Sequence, residues 1–130
     1  GPMKFAHTMI RVFDLDKSID FYENALGFTL SRKSDYENGK FSLAFLDIPN
    51  SDVQLELTYN WPQEEPYELG SGYGHIALFV DDMQNTVEQI HNAGYELDRG
   101  PKTSPAGDKQ MAFVYDPDGY AIELLEISGS

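Results

Sequence analysis

Two histidines and two glutamates recur at matched places in this chain. His7 opens the run HTMIRVFDLDKSIDFYENALGF and His75 opens HIALFVDDMQNTVEQIHNAGY, while Glu56 lies inside VQLELTY and Glu123 inside YAIELLE. Each glutamate follows its histidine at nearly the same distance, 49 residues in the first half and 48 in the second. A repeat of this kind places one imidazole and one carboxylate at equivalent points of two similar modules. Two such pairs brought together supply nitrogen and oxygen donors without sulfur. That set suits Ni²⁺, Co²⁺ or Zn²⁺ and leaves positions open for water or substrate oxygens. An ion with open positions can polarise a carbonyl and hold a developing enediolate, and a carboxylate of the set can act as base.

Taken singly, each residue has a plainer reading. Glu56 sits between Leu55 and Leu57, and Glu123 between Ile122 and Leu124, so on alternating strands both glutamates fall on the face opposite their apolar neighbours. One glutamate in such a place is most often solvent-facing, and one strand histidine is most often merely hydrogen-bonded. Surface polarity does not select the same residue types twice at repeated positions, and that favours the metal reading. Arg11 lies four residues beyond His7, and Asn60 four beyond Glu56, each about 13 Å along its strand at about 3.3 Å per residue. The pair is placed to clamp the tail of an extended anionic substrate, through a carboxylate contact and an amide hydrogen bond. An ordinary ion pair is an equal alternative for Arg11, and a strand end for Asn60. His91 has no counterpart in the first half and reads as surface. Asp116-Pro117-Asp118-Gly119 reads as a tight turn rather than a calcium loop.

The elements that must position these groups follow from periodicity. Phe5 to Phe13 alternates as a strand, with His7, Met9 and Arg11 on one face. Asp14 or Asp16 caps a helix that buries Ile19, Tyr22 and Leu26 and stops at Gly27. Strands are expected over Phe28 to Tyr36, Phe41 to Asp47 and Asp52 to Tyr59, with a hairpin turn at Glu37-Asn38-Gly39. The second half repeats the order. Its strand runs from Tyr73 to Asp81, Asp82 caps a helix from Met83 to Ala93, and Gly94 ends it. Strands from Tyr95 to Arg99, Lys109 to Tyr115 and Tyr120 to Ser128 complete the half. The expectation is a single α+β domain of two βαβββ modules, module one at 4–60 and module two at 73–128. Trp61 to Gly72 links them, and Lys102 to Asp108 forms a loop.

Composition bounds the function. The 130 residues fit one domain of ordinary size. Nine Lys and Arg against 22 Asp and Glu give a formal charge of −13, which excludes the basic patches that nucleic acid needs and repels anionic lipid. The absence of cysteine removes disulfides, thiolate nucleophiles and sulfur ligands, and suits a cytoplasmic location. No signal peptide or spanning segment is visible, and Gly1-Pro2 before Met3 reads as an expression remnant.

The runs HTMIRVFDLDKSIDFYENALGF, ELTYNW, YELGSGYGHIAL and FVYDPDGYAIELLE closely resemble glyoxalase I, the lactoylglutathione lyase of bacteria, in the vicinal oxygen chelate superfamily. The resemblance runs from about Lys4 to Glu126. It implies His7, Glu56, His75 and Glu123 as ligands of one divalent ion, with Glu123 as the leading base and Glu56 as the other candidate. It implies a homodimer in which module one of each chain completes the site of module two of the other. The implied substrate is the hemithioacetal of methylglyoxal and glutathione, isomerised to S-lactoylglutathione in methylglyoxal detoxification. Arg11 and Asn60 match glutathione-holding positions, and Lys102 matches one more loosely. Ser71 stands where some longer members have arginine, and the short chain resembles the type activated by Ni²⁺ or Co²⁺ rather than Zn²⁺. Ring-cleaving dioxygenases and fosfomycin-inactivating thiol transferases of the superfamily use two His and one Glu, so Glu56 counts against both. A glyoxalase-like enzyme using another thiol and a metal-free binding module of the same fold are the alternatives.

Overall fold

A computed structural model describes residues 1–105, 107 and 109–127. The chain divides into two compact units, Gly1–Glu68 and Leu69–Ser130, with the boundary inside the segment expected to be a linker. Both units have the α+β order strand, helix, three strands.

In the first unit, β1 (His7–Arg11) leads into α1 (Leu15–Asp20), which continues as a π-helical turn over Phe21–Ala25, followed by β2 (Thr29–Tyr36), β3 (Phe41–Asp47) and β4 (Gln54–Asn60). The sheet order is β1-β4-β3-β2, with β1 parallel to β4 and the remaining pairs antiparallel. Ile10, Val12, Leu55, Leu57, Ala44 and Leu46 are buried, as are Ile19, Phe21, Tyr22 and Ala25 on the helical segment. The second unit repeats this with β5 (Ile76–Val80), α2 (Met83–Asn92), β6 (Arg99–Thr103), β7 (Gln110–Tyr115) and β8 (Ala121–Glu126), in the order β5-β8-β7-β6. Its core is built from Met83, Ile90, Ala112, Val114, Ile122 and Leu124. In both sheets these apolar side chains alternate along the strands with the residues that include the histidines and glutamates, so the candidate ligands lie on the opposite face.

Both helices start on an aspartate whose carboxylate accepts a backbone N–H three residues on, Asp14 from Lys17 and Asp82 from Asn85, each at 3.1 Å. Asp16, the alternative cap, instead pairs with Lys33 Nζ at 2.9 Å. Both helices end at a glycine of positive φ, Gly27 (76°) and Gly94 (94°). Between cap and stop, the first unit has one residue more than the second, and the π-helical turn accommodates it. The wider turn also brings Phe21 inside beside Tyr22, which a strict α-helical stripe through Ile19, Tyr22 and Leu26 does not anticipate.

The second unit's third element and the β2–β3 turn depart from expectation. β6 begins at Arg99 rather than ending there: Tyr95 and Leu97 are half-buried between exposed Glu96 and Asp98, which mimics strand alternation, while ladder pairing with β7 runs through Arg99, Lys102 and Thr103. Lys102 therefore belongs to a strand, not to a loop, and residues 106 and 108 of the expected loop lie outside the described residues, as does Ser128 of the expected final strand. In the β2–β3 turn the positive φ falls on Lys40 (55°) rather than Gly39. A Cβ at Gly39 would lie 2.6 Å from the Phe41 ring, so a larger residue there would have to displace that side chain.

Candidate metal centre

In the first unit β1 and β4 run parallel with Met9 beside Glu56 and His7 beside Gln54. From these neighbouring rungs the His7 imidazole reaches across, and its Nε2 stands 3.0 Å from Glu56 Oε1. The other carboxylate oxygen accepts the Thr58 hydroxyl at 3.1 Å, which orients the group along the strand. The Glu56 side chain is 14% exposed and that of His7 38%, so the pair is sheltered at the carboxylate and open at the ring.

The second unit repeats the arrangement. His75 Nε2 stands 3.2 Å from Glu123 Oε1, with side-chain exposures of 46% and 15%. His75 immediately precedes β5 rather than lying within it. Two residues upstream, the Tyr73 hydroxyl donates to the Ala121 carbonyl at 3.2 Å and ties this entry to the start of β8. Burial, with the Asp116 carboxylate and Tyr120 nearby, pushes the Tyr73 hydroxyl up to about 12, so it remains a donor across the neutral range.

Each pair carries a further layer that neither periodicity nor motif revealed. The His7 ring meets Phe45 edge to face at 5.2 Å and 83°, and Arg32 lies 4.7 Å above the Phe45 ring. The His75 ring meets Phe113 at 5.8 Å and 85°, and Arg99 lies 4.1 Å above Phe113. Pairing accounts for both sets, because Arg32, Phe45 and Glu56 share one cross-strand row, and Arg99, Phe113 and Glu123 share another. One signal in the sequence could have found them, namely that both arginines and both phenylalanines recur at the spacing of the ligands.

Arg11 and Asn60 meet on the same face as His7. Arg11 Nε donates to Asn60 Oδ1 at 3.3 Å, the Tyr67 hydroxyl donates to the same oxygen at 3.4 Å, and Asn60 N donates to the Tyr67 hydroxyl at 3.1 Å. Lys102 pairs with Met111 in β6–β7 and so shares the face of Phe113. Ser71 sits in the exposed turn before β5. Asp116 Oδ1 accepts from Asp118 N and Tyr120 N, both at 2.9 Å, as a turn rather than an ion site. His91 Nε2 lies 3.7 Å from exposed Glu96. A polar cleft of about 390 Å³ lined by Asp14, Asp16, Lys33, Asp35, Ser42 and Tyr59 opens on the helix side of the first sheet, away from the ligand face.

The donor set fits a divalent ion. Each unit aims one imidazole nitrogen and one carboxylate oxygen at a common point on an open face, with a second group holding the ligand from behind at Glu56. Among the described residues, no group of three or more His, Cys, Asp or Glu side chains is gathered, and each unit offers one His–Glu pair.

Comparison with known proteins agrees with this geometry. Residues 4–124 match the Glyoxalase/Bleomycin resistance protein/Dioxygenase superfamily. A probable lactoylglutathione lyase of Synechocystis is 47% identical over 128 residues, which cover 97% of this chain and 97% of that protein. The chain belongs to the lactoylglutathione lyase family of that superfamily. Among solved structures of the family, glyoxalase I of Zea mays superposes with a TM-score of 0.88 at 36% identity, over 96% of this chain. This chain spans 45% of the maize chain. The trypanothione-dependent glyoxalase I of Leishmania major superposes with a TM-score of 0.80 at 41% identity, over 96% of this chain and 87% of that one. Membership implies a divalent metal cofactor, and the two His–Glu pairs are the residues that fit it. Among the described residues, no helix is long and apolar enough to cross a membrane.

Proposed function

We propose that this chain is a metal-dependent lactoylglutathione lyase that isomerises the hemithioacetal of methylglyoxal and glutathione to S-lactoylglutathione, in cytoplasmic methylglyoxal detoxification. The observation that carries the reading is the pair of matching His–Glu contacts, His7–Glu56 and His75–Glu123, in a chain that aligns over nearly its full length with lyases of this name. All four residues act as ligands of one ion. Because each unit offers only half of the set, two chains combine as a homodimer, module one of each with module two of the other, giving two sites.

A divalent ion in this site supplies Lewis-acid polarisation of the substrate oxygens. The chain's own groups do the rest. The Glu123 carboxylate takes the proton from the carbon bearing sulfur and returns it to the neighbouring carbon, converting the hemithioacetal to the thioester with no net loss of atoms or electrons. Glu56 is the second candidate for that proton transfer, its Oε2 held by Thr58. Arg11 and Asn60 bind the anionic tail of the glutathionyl group, and Lys102 adds a cation from the second module. Ni²⁺ or Co²⁺ is the favoured ion, with Zn²⁺ as the alternative.

The testing experiment reloads metal-stripped protein separately with Ni²⁺, Co²⁺ and Zn²⁺ and follows thioester absorbance from the methylglyoxal–glutathione adduct. Turnover with Ni²⁺ or Co²⁺ and little with Zn²⁺ is expected. Metal binding without turnover would direct attention to a second reading, in which another thiol carries the aldehyde. The trypanothione-dependent relative and the serine at position 71 favour testing that thiol next.

A further inference from the structure

The two modules repeat some features and not others. His7 and His75, Glu56 and Glu123, Phe45 and Phe113, and Arg32 and Arg99 agree in type and in geometry. At the far end of the same faces the modules diverge. Arg11 beside Thr58 in β1–β4 becomes Phe79 beside Leu125 in β5–β8, and Asn60 becomes Ile127. A metal ion takes like donors from both modules, whereas an unsymmetric thiol adduct needs unlike contacts from each. Features that repeat beside the ligands therefore go with the ion, and features that diverge go with the substrate.

On that ground we infer that Arg32 and Arg99 are positioning residues for the ligand histidines, acting through Phe45 and Phe113. The inference rests on the lyase reading above. Each histidine lies at or just before the start of an edge strand with its ring half exposed, so backbone pairing alone does not fix its rotamer. The phenyl ring fixes it from the side, edge to face, and the guanidinium over the phenyl face holds that ring in turn. Both arginines are exposed, so their loss leaves the cores intact.

Charge and positioning predict opposite signs. Through the shared phenyl ring each guanidinium is about 10 Å or less from its imidazole, the two legs being 4.7 and 5.2 Å in one module and 4.1 and 5.8 Å in the other. At that range a cation repels a divalent ion, so removing it would tighten metal binding if charge alone mattered. Loss of positioning weakens binding instead.

The test uses full-length metal-stripped protein with Arg32→Ala, Arg99→Ala and the corresponding Lys variants. Co²⁺ or Ni²⁺ alone is titrated against a competing chelator, and the visible Co²⁺ spectrum is recorded. Each alanine variant should bind metal about threefold to tenfold more weakly with an altered Co²⁺ spectrum, and lysine should restore most of the affinity. The melting midpoint of the metal-stripped protein should stay near that of wild type. Unchanged or tighter metal binding, with only KM raised or only the melting midpoint lowered, would overturn the inference and make the arginines substrate contacts or scaffold. Failure of the wild type to bind either ion would instead remove the metal reading itself.

Discussion

Arg11 Nε donates to Asn60 Oδ1 across 3.3 Å, joining the ends of two parallel strands that carry His7 and Glu56 on the same face. Tyr67 closes the group from the segment after β4. The two side chains thus form one preorganised polar unit, which in the proposed function would present a guanidinium of already restricted rotamer to the substrate's carboxylate.

Replacing Arg11 by alanine should raise KM for the glutathione adduct about 10- to 100-fold through loss of a charge-assisted contact, while metal content stays at the wild-type level. Asn60→Ala should give a smaller rise of the same kind. Steady-state kinetics beside metal analysis checks this, and a variant that loses metal rather than KM would make Arg11 structural.

Glu123→Gln preserves shape and removes the carboxylate proposed as the base. Turnover should fall by about 10² to 10⁴ while the far-UV spectrum is unchanged. Glu56→Gln, measured in parallel, assigns the proton transfer, since the larger loss in kcat marks the glutamate that moves the proton. Near-normal kcat in Glu123→Gln would shift the role to Glu56.

Stripping the metal should abolish turnover and lower the melting midpoint, because an ion that binds only the folded protein stabilises it by mass action, by about 2.7 kcal/mol at 100 times its Kd. Adding back Ni²⁺ or Co²⁺ should restore both together. Calorimetry of the stripped and reloaded protein reads this directly, and an unchanged midpoint would count against a folded-state metal site.

Asp116 is buried, and its carboxylate accepts two backbone N–H groups at the turn that feeds β8. Asp116→Ala should cost about 2 to 4 kcal/mol by leaving these donors unpaired. Urea unfolding measures the loss. Because β8 carries Glu123, metal affinity should fall with it.

Much of this was legible from residue order alone, for reasons that differ by element. The His–Glu pairs are readable because a repeat at 49 and 48 residues is improbable for unrelated surface groups, and because alternation assigns a face to each residue. Asp14, Asp82, Gly27 and Gly94 are readable because cap and stop chemistry is local. β6 was misplaced because Tyr95 and Leu97 show the period of a strand without its pairing, and pairing is a property of two segments. The rows Arg32–Phe45–Glu56 and Arg99–Phe113–Glu123 were missed for the same reason, since residues far apart in sequence become neighbours only through register.

The π-helical turn at Phe21–Ala25 lets the first module carry an extra residue between Asp14 and Gly27 without moving the strands that follow. A length change on the helical side is thereby absorbed before β2 begins. Deleting one residue within Phe21–Ala25 should convert the segment to an ordinary α-helical turn of the length found in α2, and leave His7 facing Glu56. The helical segment takes up this one-residue difference and the connections between the later strands take up the others, while both modules keep a histidine beside a glutamate. Two halves of one chain can therefore drift apart in length and still present matching donors.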